Sequence, residues 1–143
     1  MPVPSPARAW QGTETILLVE DDEAVRLFLT KVLERSGYRL IVAERPDLAL
    51  AMAETDREPI HLVIADVVLP GGTGPQLVKA LGRVRPGLPV LYISGHADAV
   101  LAHDGPLPKA SHYLQKPFSA DDLLQRIRQI LGSDPFAKAG LTR

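Results

Sequence analysis

Apolar residues fall into five short runs along the chain, at residues 16–19, 40–43, 60–65, 90–93 and 112–114. Within each run the apolar residues follow one another with little interruption instead of alternating with polar ones. Continuous runs are typical of strands that are covered on both faces, as in parallel sheets. The sequence therefore predicts five mostly buried parallel strands.

Between the runs, apolar residues recur at helical spacing. The first helix ends at Ser36–Gly37, the second begins at Pro46, and the third opens at Gly74–Pro75. Their predicted apolar positions are, in turn, Val25, Phe28, Leu29, Val32 and Leu33; then Leu48, Ala49 and Met52; then Leu77, Val78, Leu81 and Val84. Alternation of strands and helices predicts an α/β fold.

The last helix has the clearest predicted beginning. Ser119 with Asp122 three residues later is typical of a capping box, and Phe118 and Leu123 would form a hydrophobic staple around it. The apolar face of this helix is predicted to carry Leu123, Ile127, Ile130 and Leu131, and Gly132 ends it. The fold class is therefore a doubly wound five-stranded parallel sheet with helices on both faces.

One segment departs from this regular pattern. After the fourth strand, residues 97–110 contain Gly105, Pro106 and Pro108, which disfavour a helix. We expect the fourth helix to be short or irregular there, and the segment to be the least ordered part of the domain. The predicted organisation is a flexible Pro-rich leader at 1–13, one domain at 14–132 and a tail at 133–143.

Composition narrows the function classes. The 143 residues are 45% hydrophobic, carry a formal net charge of −1 and include no cysteine. This composition indicates a globular fold without disulfides or thiolate metal sites. The chain has no excess of basic residues, so nucleic-acid binding is not indicated. We expect a cytoplasmic protein, because the sequence has neither a membrane-length apolar run nor a signal peptide.

Polar residues that could bind a ligand or take part in a reaction follow four of the predicted strands. Asp66 ends the third run; Glu20 and Asp21 follow the first; Ser94 and Lys116 follow the last two. In open α/β sheets ligands bind at the carboxyl ends of the strands. The acids suit Mg²⁺, and a carboxylate can accept a phosphoryl group as a nucleophile. A cation, a lysine and a hydroxyl would then neutralise and position that group.

Four segments carry a family resemblance, each spanning a strand end. They are residues 19–26, 64–70, 93–97 and 113–118, within a region of resemblance from Glu14 to Leu131. Together they resemble the receiver domain of two-component response regulators, which implies a flavodoxin-like strand order of 2-1-3-4-5. The family is not enzymatic beyond its own phosphorylation and dephosphorylation. Its partner is a histidine kinase or a histidine phosphotransfer protein.

The resemblance also assigns roles to residues. Asp66 matches the phosphoacceptor and Lys116 the phosphate-binding lysine, whose bond to Pro117 is expected to be cis. Ser94 matches the switch hydroxyl and Tyr113 the switch aromatic. The implied ligands of Mg²⁺ are Glu20, Asp21, Asp66 and the backbone carbonyl of Val68. Glu20 stands where many relatives have Asp, and Ser94 where many have Thr; both changes keep the chemistry.

Three other functions fit the sequence less well. A phosphatase of the haloacid-dehalogenase type would need a second Asp two residues after Asp66, where Val68 stands. A nucleotide-binding flavodoxin-like module would need a Gly-rich fingerprint after the first strand, and none is present. A scaffold with an inactive site is disfavoured because no key residue is missing. Within the receiver interpretation, a stand-alone protein and a domain of a hybrid kinase both remain open.

Overall fold

The computed structural model describes residues 11–55, 58–95 and 111–132. This part of the chain contains seven strands and four α-helices. The strands are β1 (Thr15–Val19), β2 (Arg39–Ala43), β3 (Leu62–Asp66), β4 (Val68–Leu69), β5 (Gly72–Thr73), β6 (Val90–Ser94) and β7 (Ser111–Gln115). The helices are α1 (Glu23–Arg35), α2 (Pro46–Thr55), α3 (Gly74–Val84) and α4 (Ala120–Leu131).

Five strands form one parallel sheet in the order β2-β1-β3-β6-β7. In terms of the five predicted strands this is the order 2-1-3-4-5, so both the fold class and the strand order are confirmed. The register aligns the strand ends: Asp66 of β3 pairs with Ile93 of β6, and Ser94 with Gln115 of β7. The polar residues that end these strands therefore share one edge of the sheet.

The sheet is covered on both faces by apolar side chains. One cluster contains residues of α2 and α3, and the other contains residues of α1 and α4. Right-handed crossovers place α1 opposite α2 and α3, because β1 to β2 runs in one direction across the sheet and the later connections run in the other. Burial on both faces explains the continuous apolar runs; β1, for example, is buried over its whole length.

Side chains cap three of the helices at their N-termini. Ser119 and Asp122 form the predicted capping box at α4, with hydrogen bonds of 3.0 and 3.2 Å. Thr73 and Gln76 form a second capping box at α3, which was not predicted. Asp22 caps α1 by accepting a hydrogen bond from the backbone of Val25 at 3.1 Å.

Three residues assigned to apolar helix faces are exposed. Phe28, Leu48 and Val84 have 41%, 37% and 38% of their surface accessible. Leu29 and Leu33 face the sheet from α1, and Phe28 lies one residue, or about 100°, around the helix from Leu29. The predicted faces were therefore too wide. The small antiparallel pair β4–β5 was also not predicted.

The expected irregular helix at 97–110 lies outside the described residues, as do most of the leader and the tail. The domain boundaries therefore stay predictions. Near the predicted boundary between residues 13 and 14, Gly12 is buried and its N–H donates to the carbonyl of Ser36 at 2.9 Å. None of the helices in the described ranges is long and apolar enough to cross a membrane.

Candidate functional site

Asp66 is the last residue of β3, and its carboxylate is held on two sides. The side chain is 13% exposed. One oxygen, Oδ1, accepts a hydrogen bond from the backbone N–H of Val68 at 3.0 Å. The other, Oδ2, accepts one from the Lys116 ammonium at 2.8 Å. The carboxylate is thus fixed in orientation while a part of it remains accessible to solvent.

A glycine permits the tight turn behind this carboxylate. The N–H of Gly74 donates to the carbonyl of Val67 at 2.7 Å, which brings the beginning of α3 against the end of β3. A Cβ atom at Gly74 would lie 2.5 Å from the carbonyl oxygen of Asp66 and 3.1 Å from the ring of Tyr92. Neither neighbour can give way easily, since one is backbone and the other is a fully buried ring. The Gly-rich stretch after β3 thus leads from the strand into the helix.

Lys116 follows β7 and reaches across the sheet edge to two carboxylates. Its backbone N–H donates to the carbonyl of Ser94 at 2.8 Å, and the expected cis bond to Pro117 is present. The ammonium lies 2.8 Å from Asp66 Oδ2 and 3.7 Å from Glu20 Oε1. Burial alone would lower the pKa of Lys116, but the hydrogen bond and charge of Asp66, with the charge of Glu20, outweigh it and raise that pKa.

Glu20 follows β1 and is completely buried. Burial, together with the negative charges of Asp66 and Asp21, raises the pKa of Glu20 to about 7, although Lys116 and a hydrogen bond from Asp22 oppose the rise. That hydrogen bond, from the Asp22 N–H to Oε1, measures 3.2 Å. The second oxygen, Oε2, has no hydrogen-bond partner within the described part of the chain. A buried, charged oxygen without a partner is costly, so the protein holds an acceptor that a ligand could satisfy.

The predicted magnesium ligands are only partly assembled. Glu20 and Asp66 interact across the site, but the side chain of Asp21 is exposed. Across residues 11–55, 58–95 and 111–132, no group of three His, Cys, Asp or Glu side chains is close enough to hold a metal ion. The unpartnered Oε2 of Glu20 is nevertheless a hard oxygen donor of the kind that Mg²⁺ binds. The residues present therefore fit a divalent cation in their chemistry.

The two predicted switch residues lie on neighbouring strands. Ser94 ends β6 and is 4% exposed, and Tyr113 lies on β7, paired with Tyr92 of β6. The Tyr113 hydroxyl donates to the carbonyl of Ser94 at 3.5 Å, so the half-buried ring already contacts the backbone that carries the serine. The structure thus places the two residues in contact beside the Lys116 loop.

Two features of the site were not found from the sequence. An apolar groove of about 290 Å³ begins at Lys116; its lining is Ala24, Val25, Phe28, Lys116, Pro117 and Phe118. The residue that could have indicated this groove is Phe28, an apolar residue beside the face of α1 that packs on the sheet. The second is Arg26, whose guanidinium donates to the backbone carbonyls of Glu20 and Asp21 in the acidic loop, residues 20–22. Its signal was a positive charge close to a helix N-terminus, where positive charge is unfavourable.

Comparison with known proteins identifies the family. Residues 16–128 match the family model of the response regulator receiver domain. The chain belongs to the response regulator receiver family. It is therefore a signalling domain of two-component phosphorelays. Such domains are generally not classical enzymes, and the family generally uses Mg²⁺. The match supports neither the phosphatase nor the nucleotide-binding alternative.

Two relatives from Brucella abortus show the contexts in which similar chains occur. The response regulator receiver protein CpdR is 35% identical over 116 residues, which cover 81% of this chain and 95% of CpdR. The sensor kinase CckA is 32% identical over 120 residues, or 84% of this chain but only 13% of the kinase. The receiver domain thus spans a small part of one relative and nearly all of the other.

Solved structures agree with the fold. The receiver domain of the hybrid histidine kinase CckA superposes with a TM-score of 0.71 at 33% identity, covering 82% of this chain and 99% of that one. A CheY-like receiver domain from Methanospirillum hungatei JF-1 gives a TM-score of 0.69 at 28% identity, covering 84% of this chain and 94% of the other.

Proposed function

We propose that Asp66 accepts a phosphoryl group from a phosphohistidine, in a reaction that depends on Mg²⁺. The observation that carries this proposal is the contact between Lys116 Nζ and Asp66 Oδ2 at 2.8 Å, next to a buried acid with an unpartnered oxygen. A carboxylate whose orientation is fixed by the Val68 N–H is prepared for in-line attack. Phosphoryl transfer needs such positioning and charge neutralisation more than further covalent chemistry.

In the proposed step, a carboxylate oxygen of Asp66 attacks phosphorus and the bond from phosphorus to the histidine nitrogen breaks. The nitrogen keeps the electron pair of that bond, so the donor imidazole becomes neutral after protonation. Lys116 would exchange its contact with the Asp66 carboxylate for one with a phosphoryl oxygen. Its raised pKa keeps the ammonium charged for that role. Ser94 would offer its hydroxyl to another phosphoryl oxygen.

Bound Mg²⁺ would supply charge neutralisation for the phosphoryl oxygens. We assign it to Glu20, Asp21, Asp66 and the backbone carbonyl of Val68. Glu20 contributes a buried oxygen that lacks a partner, and the exposed Asp21 carboxylate would have to rotate towards the ion. The cation would also offset the burial and the repulsion that raise the pKa of Glu20.

The proposed partner is a histidine kinase or a histidine phosphotransfer protein, acting in the cytoplasm where ATP supplies such donors. The apolar groove beside Lys116 supports a protein donor, because its walls lead from the exposed ring of Phe28 to Lys116. A donor that presents its phosphohistidine to Asp66 would cover this groove and exclude water from the site. Phosphorylation would then change the contact between Ser94 and Tyr113 by shifting a two-state balance.

Labelling by a small phosphodonor tests the assignment without a partner. Acetyl phosphate with Mg²⁺ should add one phosphoryl group to the intact mass, and EDTA should prevent the addition. Asp66→Asn should abolish labelling. Asp47→Asn is the matched control, since Asp47 is an exposed acid on α2, far along the chain from the acidic loop. Equal labelling of wild type and Asp66→Asn would contradict the proposal.

A further inference from the structure

Arg26 occupies an unfavourable position for a cation. It is the fourth residue of α1, and positive charge near a helix N-terminus opposes the helix dipole. The side chain is half-buried and turns back towards the loop that precedes the helix. One nitrogen, Nη1, donates to the carbonyl of Glu20 at 3.1 Å and to that of Asp21 at 3.3 Å. Two backbone contacts thus offset the electrostatic cost of the position.

Among the described residues, hydrogen bonds hold both ends of the loop, and Arg26 holds its middle residue, Asp21. The Glu20 N–H donates to the carbonyl of Ala43 at 3.2 Å, which fixes the first residue to β2. The side chain of Asp22 caps α1, and its backbone carbonyl accepts a hydrogen bond from the Arg26 N–H at 2.8 Å, which fixes the last residue of the loop. For Asp21, between them, the contact with Arg26 is the one hydrogen bond made within the described ranges.

We propose that Arg26 is a positioning residue for the cation site, acting through the peptide groups that carry Glu20 and Asp21. This inference rests on the proposed function, since it takes those acids as ligands. By holding both carbonyls with one guanidinium, Arg26 fixes the backbone from which the two side chains extend, and the Asp21 carboxylate then needs only to rotate to reach the ion. Groups that orient metal ligands are a major part of a metal site, even when they do not touch the ion.

The geometry distinguishes this role from that of a counter-ion. Arg26 donates to carbonyl oxygens, and within the described residues it makes no ion pair with a carboxylate. The two roles predict opposite effects when the charge is removed. A counter-ion that competes with Mg²⁺ would, on removal, let the ion bind more tightly because like charges repel. A positioning residue would, on removal, let it bind more weakly.

The experiment measures Mg²⁺ affinity by calorimetric titration of Arg26→Gln, Arg26→Lys and Lys31→Gln. Lys31→Gln is the matched control, because it removes one positive charge from an exposed site on the same helix. For Arg26→Gln we expect the dissociation constant to rise about tenfold, the lower end of the range for outer-shell partners. Arg26→Lys keeps the charge and a nitrogen with several N–H donors, but its side chain is one atom shorter, and it should show a smaller rise. Lys31→Gln should match wild type.

Labelling by acetyl phosphate gives a second measurement. The initial rate for Arg26→Gln should fall most at low Mg²⁺, and the deficit should narrow as Mg²⁺ approaches saturation. Unchanged or tighter Mg²⁺ binding by Arg26→Gln would overturn the proposal, even if its melting temperature falls. Should Arg26→Gln not fold, wild-type affinity in Arg26→Lys would overturn it equally. A wild-type protein that neither binds Mg²⁺ nor is labelled would instead overturn the proposed function.

Discussion

Replacing Glu20 by Gln should stabilise the metal-free protein at neutral and alkaline pH. The carboxyl is fully buried, and burial with the charge of Asp66 raises its pKa from 4.5 to about 7. One pKa unit corresponds to 1.36 kcal/mol, so ionised Glu20 costs the folded state about 3 kcal/mol. Gln removes that charge but leaves its amide where Oε2 has no partner, which costs about 1 kcal/mol. The expected net gain is about 2 kcal/mol.

The sign of the pH dependence follows from the two pKa values. Between pH 4.5 and about 7 the folded protein keeps a proton on Glu20 that the unfolded chain has released. Stability of the wild type therefore falls as pH rises through this window. Below pH 4.5 both states hold the proton and the penalty is absent. The advantage of Glu20→Gln should grow across the window and stay constant above it.

Urea unfolding in EDTA, from about pH 4.5 to about pH 8, would measure this difference. Glu34→Gln is the matched control, because Glu34 is an exposed acid of α1. Millimolar Mg²⁺ should shrink or reverse the advantage, since the ion stabilises only a protein that can bind it. A difference between Glu20→Gln and wild type that is the same at both ends of the pH range would refute the reasoning.

Three further outcomes are expected. Phe28→Ser should slow phosphoryl transfer from a phosphohistidine protein but not from acetyl phosphate, because Phe28 lines the groove and lies outside the acid cluster; equal slowing with both donors would count against a docking role. Ser94→Ala should still be labelled, but a phosphate mimic should no longer change the Tyr113 ring resonances as it does in wild type; an unaltered change would show that Tyr113 responds independently of Ser94. Arg128→Met should lower the free energy of unfolding by about 3 kcal/mol, since it breaks a mostly buried 2.7 Å ion pair with Glu14; urea unfolding measures this, and a loss of labelling in the folded variant would contradict a purely structural role.

The five apolar runs were enough to predict the sheet, because burial on both faces leaves a continuous apolar run for each strand. They also brought Asp66 and Lys116 to one edge, although 50 residues separate them. Parallel strands end on the same side, so residues that follow the strands meet without any knowledge of packing. The order of the strands came from the family resemblance, since apolar patterns do not specify which strands are neighbours.

Contacts between distant side chains could not be predicted in this way. Phe28 looked like part of a buried face, but it lies outside and its ring contacts Phe118 at a centroid distance of 6.3 Å. Arg128 of α4 is 7% exposed and pairs with Glu14, 114 residues away, and the sequence analysis made no prediction for it. Each outcome depends on a partner that has no regular spacing from the residue itself.

The acidic pair shows a similar limit. Glu20 and Asp21 looked equivalent as consecutive acids, but one is buried and the other exposed. Consecutive residues of an extended chain point in opposite directions, so only one of the two can enter the site without a local rotation. Sequence alone predicts which residues are present, and the backbone determines which of them faces inward.

The common direction of the strands leaves the opposite edge of the sheet available for engineering. The turn between α3 and β6 lies at the end where β6 begins, whereas Asp66, Ser94 and Lys116 lie where strands end. Gly87 in that turn is exposed, has a φ of 85° and has open space around it. A peptide tag with its own glycine inserted there would keep the turn geometry. The phosphoryl state could then be followed by a reporter on the far side of the domain from the chemistry.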